Sequence, residues 1–362
     1  MTMSDSKRVC IIGPSTGTKY VGGVATHIKN LISLPCLRNA VILDPGSVNS
    51  NCRKSFFSII TSIFKMGIIF RRDNFDCVLI NSSIYATSFL KLLLLLAVLP
   101  SGNNQMIHVF FHGGRFTFLN NYLVSLVKVF FGAALRKVYN FNFLSREQMS
   151  GFKKLFPFYP AKMYANYSTS DEILEKKFCN EHEPLHLLFV GRIVREKGVY
   201  ELLSVVDILL ANNVQIRLTI AGDGPDLPEL IKQSDVFPPG IVRFLGFVTG
   251  QDLETAYRNA DLLIFPTYHH EGFPYVVIES MRAGVPIIST SSGALNDLIV
   301  DGVTGFKVPV RDVEALVTTI KTLATNRPLI NGMSQNCHEY FKNHLNKSAA
   351  ERFYSNLLVS SV

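Results

Sequence analysis

Two stretches of the chain share one pattern, and this pattern restricts the fold more than any other feature of the sequence. Residues 8–13 and 185–190 are short apolar runs, which are typical of buried strands. Each run leads into a glycine-containing loop and then into helical spacing, over residues 24–34 and 199–210. A strand, a glycine loop and a helix in this order begin an α/β unit. The sequence therefore predicts two such units, and 362 residues are enough for two domains.

Further short apolar runs continue each predicted unit. In the first half they cover residues 41–44, 76–80, 106–111 and 138–141; in the second half they cover residues 216–221, 242–248, 262–265, 285–290 and 305–308. Residues 155–184 have no strong apolar pattern and contain three prolines. They are predicted to link the two domains.

The cysteines and the N-terminus indicate the cellular compartment in which the protein is expected. The six cysteines are scattered and form no C-x-x-C, which argues against a zinc site and a disulfide framework. The N-terminus lacks the apolar core of a secretion signal. The most apolar run, residues 89–99, is shorter than the roughly 20 residues that span a bilayer. We expect a cytoplasmic protein in which this run is a buried or interfacial helix.

Charge is distributed unevenly along the chain. Residues 1–170 have a net charge of +14, and residues 171–362 have a net charge of −6. A basic half with apolar helices suits an anionic membrane surface or a pyrophosphate-bearing substrate, although solubilising charge is an equal alternative. No nucleic-acid-binding motif accompanies the charge, so nucleic acid is not expected.

Residues 265–284 are predicted to form a strand end, a loop and a helix. Pro274 suits the first helical position, where no N–H is needed, and Gly284 suits a left-handed end. Glu271 lies in the loop, and Glu279 lies eight residues further on, in the helix.

This segment offers both kinds of group that a nucleotide-sugar requires. The carboxylates of Glu271 and Glu279 can accept hydrogen bonds from hydroxyls. The N–H groups of Gly272 and Phe273 lie at the positive end of the predicted helix, which favours phosphate. The alternative is a solvated helix start with two surface glutamates.

Two other loops have candidate binding residues. Residues 191–198, GRIVREKG, place Arg192 and Lys197 between a strand and a helix, where they can bind phosphate oxygens. The loop at Gly22 and Gly23 allows close approach of a ligand but is not G-x-G-x-x-G, so a nicotinamide cofactor is poorly supported. For residues 191–198 the alternative is a solvated loop, and for Gly22 and Gly23 it is a tight turn.

A histidine follows the predicted strand over residues 106–111. His112 begins the sequence HGGR, and a histidine at a strand end can contact a ligand. A lone histidine is more often structural.

These motifs together resemble the retaining glycosyltransferases of family four, of the type that assembles bacterial polysaccharides, which have the GT-B fold. In that family the first glutamate, here Glu271, faces the donor sugar, and the second, Glu279, binds the ribose. The residues that the resemblance assigns to catalysis are Glu271, His112, Arg192 and Lys197. Those assigned to donor binding are Gly22, Gly23, Gly191, Arg192, Lys197, Gly222, Phe247, Glu271, Gly272, Phe273, Pro274 and Glu279. His27 and Arg115 are assigned to the acceptor.

The resemblance implies two Rossmann-like α/β/α domains that face each other across a cleft. Residues 1–170, joined by a last helix over about 340–362, would bind the acceptor, and residues 171–339 would bind the donor. The implied reaction moves a sugar from a nucleotide-diphosphate sugar to a hydroxyl, with retention. The acceptor would be a lipid-linked glycan at the anionic inner face of the membrane.

No cofactor is expected beyond the substrate itself. The chain contains no D-x-D motif, and the cations named above can neutralise the leaving diphosphate, so no metal is required. A phosphorylase or a nucleotide-sugar epimerase with the same fold stays open. So does a non-catalytic partner subunit, although Arg192, Lys197, Glu271 and Glu279 are all present.

Overall fold

The computed structural model describes residues 7–14, 23–44, 56–100, 105–175, 179–180 and 182–359, with the backbone alone for residues 23 and 56–60. The chain forms two compact units. The first unit comprises Met1–Thr169 and Ala350–Val362, and the second comprises Ser170–Ala349.

The first unit is built on six parallel strands in the order β2-β1-β3-β4-β5-β6. Its strands are β1 Val9–Ile12, β2 Val41–Leu43, β3 Cys77–Ile84, β4 Met106–Gly114, β5 Val138–Phe143 and β6 Ala161–Met163. Its helices are α1 Gly23–Leu31, α2 Phe56–Arg72, α3 Ala86–Val98, α4 Asn121–Leu135 and α5 Arg146–Leu155.

The two faces of this sheet differ because alternate residues of a strand point to opposite sides. Ile107, Val109 and Phe111 of β4 belong to a hydrophobic core that also takes buried residues from α2 to α5. His108 and Phe110 point the other way; the Phe110 ring lies 5.8 Å from that of Tyr354, near the C-terminus. One face of the sheet is therefore apolar, and the other contains polar side chains.

The second unit repeats the design with six parallel strands in the order β12-β11-β10-β7-β8-β9. Its strands are β7 Leu185–Val190, β8 Ile216–Ala221, β9 Val242–Gly246, β10 Leu262–Phe265, β11 Ile287–Thr290 and β12 Gly305–Val308. Its helices are α6 Val199–Ala211, α7 Leu227–Ser234, α8 Gly250–Asn259, α9 Tyr275–Arg282, α10 Leu295–Leu298, α11 Val313–Ala324, α12 Arg327–Tyr340 and the start of α13 Lys347–Val359, whose remainder belongs to the first unit.

The central strands of the second unit are fully buried, and the continuous apolar sequence of β10, LLIF, suits this position. β10 and β11 are buried at every position, as central parallel strands covered by helices on both faces must be.

Across the described ranges, no helix is both long enough and apolar enough to cross a bilayer.

Three details differ from the sequence predictions. β4 continues through His112 to Gly114, so this histidine lies within the strand. Pro274 has an extended backbone and precedes α9, which begins at Tyr275. The predicted link contains β6, which pairs with β5. β6 was missed because a three-residue edge strand is only partly buried and has no apolar run.

Glycine is required where the loops after β7 and β8 meet. Gly222 has a φ of +147°, and a Cβ at this position would overlap the carbonyl oxygen of Gly191. Gly240 also has a positive φ, of +85°, but faces open space.

We predict that Gly222→Ala destabilises the second unit much more than Gly240→Ala. Gly240→Ala, the control, should lower the free energy of unfolding by about 1 kcal/mol, because alanine is strained at a positive φ. Gly222→Ala should lose a further 1–3 kcal/mol, roughly, because the backbone of residue 191 must move. Urea denaturation of both variants measures the difference, and equal losses would contradict the close approach.

Candidate functional site

The strand order of the second unit reverses between β7 and β10. From β7 the chain proceeds through β8 to β9 on one side, and from β10 it proceeds through β11 to β12 on the other. The helices after β7 and β10 therefore diverge. A crevice at such a reversal, outside the carboxyl ends of the strands, is where open α/β sheets bind ligands.

Two predicted catalytic side chains meet at this reversal. Lys197, in the loop after β7, places Nζ 2.5 Å from Oε1 of Glu271, in the loop after β10. The two side chains are only 19% and 10% exposed. The Thr267 hydroxyl lies 3.1 Å from the same carboxylate oxygen, and the Lys197 ammonium lies 5.2 Å from the centre of the Phe265 ring. The site therefore combines a cation with a carboxylate in a largely dry setting.

Backbone hydrogen bonds fix the two loops relative to each other. The Glu196 carbonyl accepts from the N–H groups of Tyr268, at 3.0 Å, and His269, at 3.2 Å. On the other side, the Glu271 carbonyl accepts from the N–H of Ala294 at 3.2 Å. Because both flanks of the Glu271 loop are tied down, the ion pair has little freedom to drift.

Glu279 lies in α9 and has a different partner. The Tyr257 hydroxyl donates to its Oε2 at 3.0 Å. Burial raises the pKa of Glu279 above its ordinary value, although the hydrogen bond from Tyr257 and the charge of Arg282 partly oppose this rise. Burial therefore makes the charged form of this carboxylate costly.

The remaining predicted donor-site residues of the second unit are spread along the carboxyl ends of the strands. Gly191 and Gly222 pack against each other, Arg192 is exposed, and Phe247 is 76% exposed after β9. Gly272 is half-buried and Phe273 is buried, immediately before α9.

In the first unit, His112 is bracketed by two polar side chains. Its Nε2 lies 2.8 Å from Oδ1 of Asn81, and its Nδ1 lies 3.0 Å from the Tyr164 hydroxyl. The Asn81 amide nitrogen lies 3.3 Å from the carbonyl of Ile12, so its oxygen faces the histidine. An amide oxygen only accepts, and Nε2 therefore carries the proton. Burial, with a contribution from His27, lowers the pKa of His112 well below its ordinary value, so the ring is neutral.

The two predicted acceptor residues lie in contrasting settings. His27 is fully buried, and its ring centre lies 4.5 Å from that of His112. Burial lowers the pKa of His27 to about 3. Arg115 is exposed and pairs with Glu147 at 2.9 Å. Of the two loop glycines, Gly23 begins α1, and Gly22 lies outside the described residues.

Sequence reasoning missed four side chains that contact the predicted ones: Thr267, Tyr257, Asn81 and Tyr164. Two of these had a usable signal. Thr267 follows a strand directly, and Asn81 lies in the polar sequence after a predicted strand. Tyr257 and Tyr164 had none, because they reach the site from a helix and from the segment after an edge strand. In the described part of the chain, no group of three or more His, Cys, Asp or Glu side chains could hold a metal ion.

Comparison with known sequences matches the second unit. Residues 170–343 match the family model described as "Glycosyl transferases group 1". A glycogen synthase of Mycobacterium tuberculosis is 31% identical over 141 residues, which are 39% of this chain and 34% of that protein. The capsular polysaccharide biosynthesis glycosyltransferase CapM of Staphylococcus aureus is 31% identical over 159 residues, which are 43% and 40%. The matches thus span less than half of these relatives' own length, and they support the predicted family in its broader form.

Comparison with solved structures covers both units. The crystal structure of Anabaena HepE in complex with UDP and glucose superposes with a TM-score of 0.70 and 13% identity, over 98% of this chain and 100% of that one. At this level of identity the likeness concerns the fold alone. Together with the two parallel six-stranded sheets, it confirms the predicted GT-B fold class.

The raised pKa of Glu279 leads to a prediction about stability. A carboxyl group whose pKa is raised by folding costs stability at neutral pH, and the cost disappears as pH falls below the unfolded value of about 4.3. Glu279→Gln keeps an acceptor for Tyr257 without the charge. We expect it to increase the free energy of unfolding at neutral pH, with no gain near pH 4.

Urea denaturation at both pH values measures this effect. Glu314→Gln changes the same group at an exposed position of α11 and should alter stability little at either pH. A loss of stability in Glu279→Gln at neutral pH would contradict the argument, since Tyr257 and Arg282 would then outweigh burial.

Proposed function

Because residues 170–343 match the group 1 glycosyltransferases, we propose that the chain transfers a sugar from a nucleotide-diphosphate sugar to a hydroxyl acceptor. The observation that carries this proposal is the ion pair of Lys197 and Glu271, 2.5 Å apart, where the strand order of the second unit reverses. A cation suited to a departing phosphate and a carboxylate suited to sugar hydroxyls are thereby adjacent.

Each side chain has a distinct task in the proposed donor complex. The Lys197 ammonium has three donors, so it can retain Glu271 and also bind a phosphate oxygen. Arg192, which is exposed in the same loop, would bind the diphosphate as a planar fork. Glu271 would accept from the sugar, and Glu279 from the ribose.

The proposed chemistry places the developing charge beside these cations. As the bond to the diphosphate breaks, positive charge grows on the sugar ring and negative charge on the leaving phosphate. A cation fixed in a low-dielectric site stabilises that negative charge without needing to reorganise. We propose retention of configuration, as in the family that residues 271–279 resemble, with a leaving phosphate oxygen taking the proton of the acceptor hydroxyl.

The wider setting rests on the relatives and on charge. CapM is named for capsular polysaccharide biosynthesis, and HepE was solved with UDP and glucose. We propose a surface-polysaccharide role with a nucleotide-diphosphate sugar as donor, a lipid-linked glycan as acceptor, and no metal requirement.

A screen of nucleotide-diphosphate sugars that measures release of the nucleotide diphosphate tests the donor site. Lys197→Met and Glu271→Gln should each reduce turnover by about 10- to 100-fold, since a charge-assisted contact contributes roughly 1.5–3 kcal/mol. Each single change also leaves the other charge unpaired and buried, so stability should fall. The double variant should regain stability but not turnover.

Matched controls separate chemistry from folding. Lys232→Met and Glu314→Gln make the same changes at exposed positions of α7 and α11 and should leave turnover intact. Recovery of turnover in the double variant, together with stability, would mean that the pair is only structural. The same assay in EDTA tests metal independence, which a complete loss restored by magnesium would contradict.

The first unit exposes an apolar and basic helix face that supports membrane association. In α2, Ile63, Met66 and Phe70 are buried, whereas Phe64 and Ile68 are 62% and 63% exposed. Lys65, Arg71 and Arg72 are exposed beside them. Two other basic residues, Lys137 and Lys153, instead donate to backbone carbonyls within the unit, and Arg53 and Lys54 lie outside the described residues.

We propose reversible binding of this face to anionic lipid. Each basic residue near such a surface contributes about 1 kcal/mol, screened by salt. The chain should float with vesicles that contain phosphatidylglycerol at low salt and should be released at high salt. Lys65→Glu with Arg71→Glu should abolish flotation.

Lys232→Glu with Arg258→Glu, in α7 and α8 of the second unit, is the matched control and should float like the unchanged chain. Flotation that persists at high salt and depends on Phe64 and Ile68 would indicate insertion rather than electrostatic attraction. If neither the unchanged chain nor this control floats with anionic vesicles at low salt, the membrane proposal is wrong, and the transferase proposal is unaffected.

A further inference from the structure

A small, partly open cavity with polar and apolar walls lies in the first unit, on the sheet face to which His112 also points. Its volume is about 160 Å³. Its walls come from β4, β5, β6 and α13. The lining residues are His108, Tyr139, Asn140, Asn142, Lys162, Phe353, Asn356 and Leu357.

The cavity is separate from the surroundings of His112. His108 and His112 point to the same face of β4, but they lie four residues apart, on the order of 13 Å along the strand. Phe110 lies between them in the strand, with its ring centre 5.0 Å from that of Tyr164 and 5.8 Å from that of Tyr354. The Phe110 ring, packed against both tyrosines, therefore separates the two histidines along this face.

Two buried polar side chains of the cavity have atoms without a hydrogen-bond partner among the described residues. His108 is 1% exposed, and neither of its ring nitrogens has a hydrogen-bond partner in the described part of the chain. Asn142 is also 1% exposed; its amide nitrogen donates to the carbonyls of Val109 and Asn140, and its Oδ1 has no partner there. An unpaired buried group costs about 1–3 kcal/mol, and such groups are nearly always satisfied by protein, water or ligand.

The atoms without partners indicate which hydrogen-bonding groups a ligand of this cavity would need. Burial, with a contribution from the charge of Lys162 in the lining, lowers the pKa of His108 to about 4. The imidazole is therefore neutral at physiological pH, with one donor and one acceptor. Together with Asn142 Oδ1, the two ring nitrogens of His108 thus leave two acceptors and one donor without a partner in the described part of the chain. A carboxylate is acceptor-only at neutral pH, whereas a hydroxyl both donates and accepts.

The cavity walls suit a ligand ring that has both apolar and polar surface. Tyr139, Phe353 and Leu357 supply apolar surface, while Lys162 and Asn356 supply polar groups near the exposed rim. The volume equals on the order of five water molecules in the liquid, which is also the scale of one small sugar ring.

We propose that this cavity binds a small polyhydroxylated molecule, such as a single sugar ring or a cyclic polyol. The site is independent of the proposed donor site in the second unit, because it uses none of the same residues. Its occupant would satisfy His108 and Asn142 and would link α13 to the edge of the sheet.

Histidine NMR of the full chain tests the proposal at the residue concerned. The protein is labelled at the imidazole rings, and the His108 signal is assigned with His108→Gln. Glucose, galactose and myo-inositol are then titrated separately. At least one should shift the His108 signal saturably, while the signals of His338 and His344, in the second unit, stay unchanged. A site-specific signal is needed because polyols at high concentration stabilise proteins generally.

Two variants of the cavity wall make the test decisive. Leu357→Trp should fill the cavity and weaken the binding by at least about tenfold, or 1.4 kcal/mol. Leu357→Met, a matched control that keeps the volume, should bind as the unchanged chain does. Acetate, an acceptor-only anion, should not shift His108. The proposal is overturned if no polyol shifts His108, if Leu357→Trp responds like Leu357→Met, or if acetate alone gives the shift.

Discussion

The reversal of strand order in each parallel sheet is the constraint from which the candidate site follows. A crossover between parallel strands is right-handed, so a chain that adds strands in one direction places its helices on one face. When the next strand is added on the opposite side, the following helix lies on the other face, and the two loops at the reversal diverge. In the second unit these are the loops after β7 and β10, which contain Lys197 and Glu271.

The pair of charges at that reversal depends on the rigidity of the surrounding backbone. A buried ion pair stabilises little by itself, because removing two charges from water offsets most of their attraction. It persists where neighbouring groups fix its geometry. Here the Glu196 carbonyl joins the two loops through the N–H groups of Tyr268 and His269, and Thr267 contacts the carboxylate. The same rigidity would be useful in a transferase, since a preorganised cation need not move as charge develops.

The first unit shows a different use of polar groups, on one face of one sheet. His112 lies between Asn81 and Tyr164, and both of its nitrogens have partners. His108, two alternations earlier in the same strand, has none in the described residues. Both rings are kept neutral by burial. The two histidines lie in the same strand and point to the same face of the sheet, but their surroundings differ. His112 completes an internal hydrogen-bond network, and His108 lines a cavity.

The sequence by itself determined the α/β class, most strands, and the loops in which Arg192, Lys197, Glu271 and Glu279 lie. These features are local, because apolar period, glycine and proline positions act within a few residues. The tertiary structure decided which of those side chains meet. Lys197 and Glu271 are 74 residues apart and pair only because β7 and β10 are neighbours in the sheet. Tyr257, Tyr164 and the edge strand β6 left no pattern, since their contacts and pairing depend on packing between distant segments. Burial of His27 and His108 likewise results from the packing of α1 and α13 on the sheet, which no local sequence pattern encodes.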